Sequence, residues 1–487
     1  MDFFFYRFRR TTLLLMFCLS FLVAVGVARL GWGLRAPPFL TGLIGIAAAL
    51  AAWRAPVARL VAAVLFGALL GSWRGDVYVQ KLTAYEPLYG NKVSLEITAN
   101  EDAVYGKKSQ ITFVAVDIFD PQSGQKLPGK LSVSGFGMNS IFQGDRLQLD
   151  GKLARGLGGY QGFVSYGQFT LLHHKPSWIA DVRRRFAAGM QTALPEPLAS
   201  FAMGLLIGQR ATLPPEIKQD LLMVGLTHVI AVSGYNLTIM LQASRKLLAD
   251  KSKRLSFALS FSLMALFVLL AGLSASIFRA AIVSGLSMVT QFYGRSMRPE
   301  LLISMAATIT VWINPLYIWG DPSWYLSFLA FYGVMVVGPL LQARLPTRLE
   351  NSVIVGVFLE SLSAEIMTLP FVLAMFGQMS LVNLPANVLV VALVPLAMLL
   401  STIAGLLGMF APMMAGWLSW PAAWLLTYML DTAHLLSGIP GIFRQNVWLS
   451  AAQMWGVYGL IGCMTWLLSR KSAKITPYER TQQMVNH

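Results

Sequence analysis

Apolar runs long enough to cross a bilayer recur along this chain. That restricts each of them to helix, because at membrane depth no water satisfies a loose backbone. One run, Leu221 to Leu241, reads LLMVGLTHVIAVSGYNLTIML and also carries Thr227, His228, Ser233, Gly234, Asn236 and Thr238. Polar side chains and a helix-loosening Gly are costly there unless they are buried in protein or line a wet cavity. Alone, the stretch reads first as a core helix with satisfied hydroxyls. The rest of the chain decides whether it is more.

Only 12% of the 487 residues are charged and 56% are hydrophobic, about half the charge of a soluble protein, so the expected class is a polytopic helical membrane protein. The net charge of +16 suits anionic lipid, an acidic substrate or cytoplasmic loop bias. Cys18 and Cys463 sit in apolar segments at opposite ends, so neither a disulfide framework nor a zinc site is indicated. Gly106-Lys107 lacks the earlier Gly of a phosphate-binding loop, which removes ATP hydrolysis by that route. No cofactor is expected.

Arg7, Arg9 and Arg10 precede an apolar run from Thr11 to Leu30; its length favours a retained span over a cleaved signal. Pro37 to Trp53 and Val57 to Trp73 read as two more spans, with Arg54 and Arg59 between them. Basic residues at the N-terminus and in that loop predict both on the cytoplasmic side and residue 76 outside.

From Asp76 to about Leu172 the hydropathy collapses and the period becomes two. Strands are predicted at Val93–Thr98, Ile111–Phe119, Leu131–Val133, Arg146–Asp150 and Phe163–Leu172, separated by turn residues such as Pro121-Gln122-Ser123-Gly124 and the Gly156–Gly159 cluster. Five short strands suit a small OB-like barrel. Tyr160, Phe163, Tyr166 and Phe169 either stack bases or form core. Ten Lys or Arg against nine acids between Asp76 and Lys175 give no basic footprint.

Trp178, Val182, Phe186 and Met190 fall at helical spacing with Arg183, Arg184 and Arg185 off their ridge, which predicts an amphipathic interfacial helix. Pro197–Gly208 is too short to span and reads as re-entrant or buried. Leu213-Pro214-Pro215 then starts a helix leading into Leu221–Leu241. On an unbroken helix His228, Ser233 and Asn236 would stand at roughly 0°, 140° and 80°. A break at Gly234 would bring them together and expose a helix end suited to anions. No Asp or Glu lies in the stretch to orient the His, so a Ser-His-acid triad has no local support.

Downstream, Leu255–Gly272 is a predicted span and Arg279 lies inside the next apolar helix, either snorkelling or facing an aqueous path where it grips phosphate. Asp321-Pro322-Ser323 reads as N-cap and N1 proline before Trp324–Phe328. Glu360 and Glu365 in Val353–Phe376, and Asp431 with His434 in Trp417–Leu436, are ionisable groups in apolar surroundings and therefore functional candidates. Asn383, Pro385 and Asn387 break the next segment. Trp448–Leu468 is the last span, and Arg470, Lys471 and Lys474 place the tail in the cytoplasm.

Gly225-Leu226-Thr227-His228-Val229-Ile230-Ala231-Val232-Ser233-Gly234 resembles the signature of the ComEC family of DNA internalisation channels. Ser276–Ala280 with Arg279, Asp321–Ala330 including Ser327, and Phe376–Ser380 followed by Asn383–Asn387 are similar to three further blocks of that family, in its order. The resemblance implies N-terminal transmembrane helices (1–75), an OB-like extracytoplasmic β domain (76–175), a competence-type transmembrane core (176–475) and a cytoplasmic tail (476–487). It further implies passage of single-stranded DNA across the bacterial cytoplasmic membrane, past His228, Ser233, Gly234, Asn236, Arg279, Ser327 and Asn387, with Tyr160, Phe163 and Tyr166 stacking bases. A DNA receptor, a cytoplasmic ATPase or helicase and membrane lipid are the implied partners.

Two departures stand out. Asn236 occupies the place of a second family histidine, which favours binding over proton shuttling. The H-x-H-x-D-H of the family's metallo-β-lactamase-like domain is missing, so a separate nuclease is expected and the chain itself is read as non-enzymatic. An intramembrane hydrolase or transferase using His228 and Ser233, and a small-solute permease, are the alternatives.

Overall fold

A computed structural model describes residues 9–32, 56–100, 103–105, 110–136, 141–156, 158–174, 178–208, 213–230, 237, 241, 252–271, 275–294, 298–346 and 352–471. Their contacts group into two units, Met1–Ala180 with Glu300–Tyr325 and Asp181–Pro299 with Leu326–His487. The helices are α1 (Arg10–Val27), α2 (Pro56–Thr83), α3 (Trp178–Ala193), α4 (Leu198–Ile207), α5 (Pro215–Val224), α6 (Lys253–Ala271), α7 (Ala275–Phe292), α8 (Pro299–Ile313), α9 (Leu316–Gly320), α10 (Pro322–Tyr332), α11 (Gly338–Gln342), α12 (Val353–Phe376), α13 (Asn383–Val390), α14 (Val394–Phe410), α15 (Pro412–Leu418), α16 (Trp420–Ser437) and α17 (Ala451–Lys471). Five described stretches are long and apolar enough to cross a membrane: Arg10–Gly31, Val57–Leu88, Pro322–Gln342, Ile354–Phe376 and Asn383–Phe410. The architecture is that of a multi-pass helical membrane protein carrying a small β sheet. The expected second span, Pro37–Trp53, lies outside the described residues.

In the first unit α1 and α2 pack along their length. Gly67, Gly71 and Gly75 recur every fourth residue and so share one face of α2. A Cβ at Gly67 would stand 2.2 Å from Ser20 Oγ, and one at Gly71 would stand 2.4 Å from the Phe21 carbonyl oxygen. Small residues let the two backbones touch, which is how helices associate where lipid removes the hydrophobic drive between them. α2 continues ten residues past the expected end at Trp73. Arg74 is accommodated because its guanidinium donates to the Trp312 and Ile313 carbonyls at 2.7 and 3.1 Å and lies over the Tyr78 and Trp312 rings. The drop in hydropathy at Asp76 therefore marks a change of surroundings, not the end of the helix.

The seven strands that follow are β1 (Lys92–Ala99), β2 (Val104–Tyr105), β3 (Ile111–Asp120), β4 (Gln125–Leu127), β5 (Leu131–Phe136), β6 (Arg146–Arg155) and β7 (Gly162–His173). All five expected strands are present; β2 and β4 are short additions beside β3. β1 pairs with β6 on one side and β3 on the other, so the path β1-β6-β7-β5-β3 closes on itself, antiparallel everywhere except between β5 and β7. Alternation fills the interior with Leu95, Ile97, Ile111, Phe113, Leu147, Leu149, Val164 and Phe169. Phe169 is thus core, packed on Phe113. Tyr85, from the turn after α2, is fully buried in the same cluster and donates its hydroxyl to the Pro128 carbonyl.

In the second unit, α4 is buried from Leu198 to Leu206 and packs with α5, α13, α14 and α16 in one core. α12 carries Pro370 within its length and ends at Gly377, in the left-handed region at φ +62°. β8 (Gln378–Ser380) and β9 (Phe443–Gln445) form a two-stranded ribbon. Bonds from Leu381 N to the Ile442 carbonyl and from Val447 N to the Gly377 carbonyl extend that ribbon at both ends.

Candidate functional site

α5 stops at Val224 because Gly225 turns into the left-handed region at φ +85°, and its N–H caps the helix on Leu221 and Leu222. Leu226–His228 then makes a single tight turn. The first interruption of the Leu221–Leu241 run therefore falls at Gly225, nine residues before the break expected at Gly234. Ser233, Gly234 and Asn236 lie outside the described residues. Gly is needed at 225 for two reasons. The backbone conformation disfavours any side chain, and a Cβ there would meet Asn383 Oδ1 at 2.7 Å and Asn383 Cγ at 2.9 Å.

Asn383 is the first residue of α13, and its side chain lies close enough to the carboxyl of Glu365 on α12 to act on its charge. The first and fourth sequence blocks thus meet through Gly225 and Asn383. His228 Nδ1–H donates to the Gly225 carbonyl at 3.1 Å. In the neutral ring this tautomer leaves Nε2 as an acceptor on an exposed side chain. Leu226, Val229 and Ile230 anchor the turn by burial in the same core as Phe201, Leu205, Ala386 and Val390.

Asn387, one turn along α13, is buried. Arg279 is only 2% exposed, so it does not snorkel to a surface. Its neighbour Ala280 clusters with Leu237 and Leu241 of the opening run, which places α7 beside that run. Ser327 is half-buried on α10. Asp321 caps α10 as expected, its Oδ1 accepting the Ser323 N–H at 2.9 Å. On the β domain Tyr160 and Phe163 are partly exposed, and Tyr166 is 75% exposed and stacked on Phe136 at 6.2 Å.

A second polar centre joins His434, a candidate from the sequence alone, to an acid on α5 that the sequence does not single out. Asp220 on α5 accepts from His434 Nδ1 at 2.9 Å and from the Ser437 hydroxyl at 2.7 Å, both on α16. The Asp220 hydrogen bond and charge, with Asp431 nearby, raise the imidazole of His434 above its ordinary value. A cavity of about 400 Å³ beside it is lined by Glu196, Glu216, Asp220, Asp431 and His434. Ser437 bonds the carboxylate and not the imidazole, so the three do not form a nucleophilic relay. Their 214-residue separation in sequence hides the link. Among the described residues no group of three or more His, Cys, Asp and Glu side chains could hold a metal ion.

A family model described as "Competence protein" matches residues 205–471, more than half of the chain. ComE operon protein 3 of Bacillus subtilis (strain 168) is 24% identical over 233 residues, covering 47% of this chain and 29% of that relative. The chain therefore spans well under half the length of the curated relative it matches. No solved structure matches.

Proposed function

The chain belongs to the competence protein family, and on that premise we propose that it serves DNA uptake, passing single-stranded DNA across the bacterial cytoplasmic membrane. The observation that carries this reading is the meeting of Gly225 with Asn383 inside the matched region. Two interrupted helices join there, and His228 sits exposed on the turn. Interrupted helices at membrane depth are tolerated where they line a path and present backbone ends to a charged solute. Arg279, buried on the helix beside the opening run, supplies a fixed positive charge for a polyanion. The path acts by binding and guiding, without chemistry on the strand.

The β domain receives the strand on the outer side in this proposal. Its pairing order, with one parallel pair closing an otherwise antiparallel barrel, supports an OB-type module. Tyr160, Phe163 and the Phe136–Tyr166 stack offer aromatic faces to bases. Basic residues at Arg9, Arg10, Arg470 and Lys471 support cytoplasmic termini. Energy and hand-over come from partners: a DNA receptor outside, an ATPase or helicase inside, and a separate nuclease for the second strand.

The test is entry of labelled single strands into liposomes holding the purified protein, read as label protected from added nuclease. Protection of single strands but not of duplex is expected, and Arg279→Ala should abolish it while leaving surface-bound DNA unchanged. Entry that is equal in protein-free liposomes, or undiminished by Arg279→Ala, overturns the respective claim.

A further inference from the structure

Donors and acceptors behind the Gly225 turn do not balance. Glu365 lies in Ile354–Phe376, one of the five stretches apolar enough to span. Its Oε2 is buried without a hydrogen-bond partner, and so is Oδ1 of Asn383. The two side chains stand within reach of each other. Together they hold three acceptor oxygens, and the Asn amide is their one source of protons. Asn387 Oδ1, one turn further along α13, is a third buried acceptor without a partner. Rotating the Asn383 amide exchanges its oxygen and nitrogen but cannot correct the count. One added positive charge can. A proton on Glu365 turns an acceptor into a donor for Asn383, and a sodium ion accepts lone pairs from both.

We propose that Glu365 and Asn383 form a binding site for a single small monovalent cation, a proton or a sodium ion, at the back of the Gly225 turn. An ionised carboxylate in an apolar span is costly unless something compensates its charge, and the paired amide oxygen supplies a second ligand. The site reaches the exposed turn in two steps. Asn383 abuts Gly225, and the Gly225 carbonyl holds His228. A change in the charge at Glu365 changes what Asn383 bonds, and with it the wall against which Gly225 and His228 rest. The site is defined by these residues alone and does not depend on what the chain transports.

The experiment uses the full-length protein in liposomes and dicyclohexylcarbodiimide, which modifies protonated carboxyls in apolar surroundings; mass spectrometry of peptides then separates Glu365 from Glu360. Glu365 should be modified near neutral pH, with modification falling as pH rises and absent in Glu365→Gln. Sodium at constant ionic strength distinguishes the two ligands. Protection by sodium means that the ion shares the site, and no effect of sodium with retained pH dependence means a proton alone. Asn383→Ala should shift the pH at half-modification, and an unshifted curve removes Asn383 from the site. Glu365 left unmodified at every pH, as for a carboxylate served only by water, overturns the proposal. Modification indifferent to both pH and sodium overturns it equally.

Discussion

Asn383 fills the space that a side chain at Gly225 would need: a Cβ there would stand 2.7 Å from Asn383 Oδ1. Gly225→Ala therefore carries two costs. The left-handed backbone alone is worth about 1–2 kcal/mol, and the collision with Asn383 adds to it. A lower melting point in detergent and reduced DNA entry are expected. Gly225→Ala combined with Asn383→Ala should lose less than the sum of the two single variants, because the collision is relieved while the backbone cost and the loss of Asn383 remain. A double loss equal to the sum of the two single losses would show that the two residues are not coupled.

The α1–α2 contact gives a sharper comparison. Gly71→Ala would push a methyl to 2.4 Å from the Phe21 carbonyl oxygen, and overpacking of that kind costs about 1–3 kcal/mol. Gly356, inside α12, has nothing within 4 Å of where its Cβ would be. Gly356→Ala should be neutral or stabilising by up to about 1 kcal/mol, because Ala is the better helix former. Thermal melts of both variants against the native chain decide the matter; equal melting points would mean that the helices do not meet through these glycines.

The Asp220–His434 link sets a pH dependence with a definite sign. His434 titrates higher folded than unfolded because Asp220 bonds and charges against it. Its stabilising contribution is complete at pH below about 6.5, the value of a free imidazole. It is lost as pH rises through the raised folded value. Melting points measured from acid to alkaline pH should fall across that window in the native chain and not in His434→Ala. A parallel fall in both would place the effect elsewhere.

On the β domain, stacking on an exposed aromatic is worth about 1–3 kcal/mol per base, roughly five- to a hundredfold in Kd. Tyr166→Ala and Phe163→Ala should each weaken single-strand binding by an amount in that range, read by fluorescence anisotropy on the intact protein. The buried Phe169 has no face to offer. Unchanged affinity in both variants would take DNA off this surface.

The parts of the fold that depend on local periodicity were readable from residues alone. Ile111–Asp120 alternates because one side faces the barrel interior. Asp321 announces its helix because capping needs only the next few residues. Val353–Phe376 is bounded as hydropathy bounds it. What was not legible depends on partners far away in sequence. That a side chain at 225 would collide is set by Asn383, more than a hundred residues on. The extension of α2 past Trp73 rests on carbonyls at 312 and 313 that take Arg74. Asp220 looks like a surface acid until His434 and Ser437 arrive from α16. Of the site, Glu365, His228 and Asn387 could be singled out by polarity in an apolar run. Their connection through Asn383 could not, because polarity carries no address.

The β8–β9 ribbon also bears on how the chain is made. Its two strands, Gln378–Ser380 and Phe443–Gln445, enclose α13 through α16 in one loop. The loop closes only when the ribosome has delivered residue 445, so α13 to α16 are all made before the stitch can form. Closure then joins the end of α12 to the approach of α17, with Trp448 lying 2.5 Å from where a Gly377 side chain would begin. Closure is thus a late step, and a truncation before Phe443 leaves α13 to α16 held only by the core they share with α4 and α5.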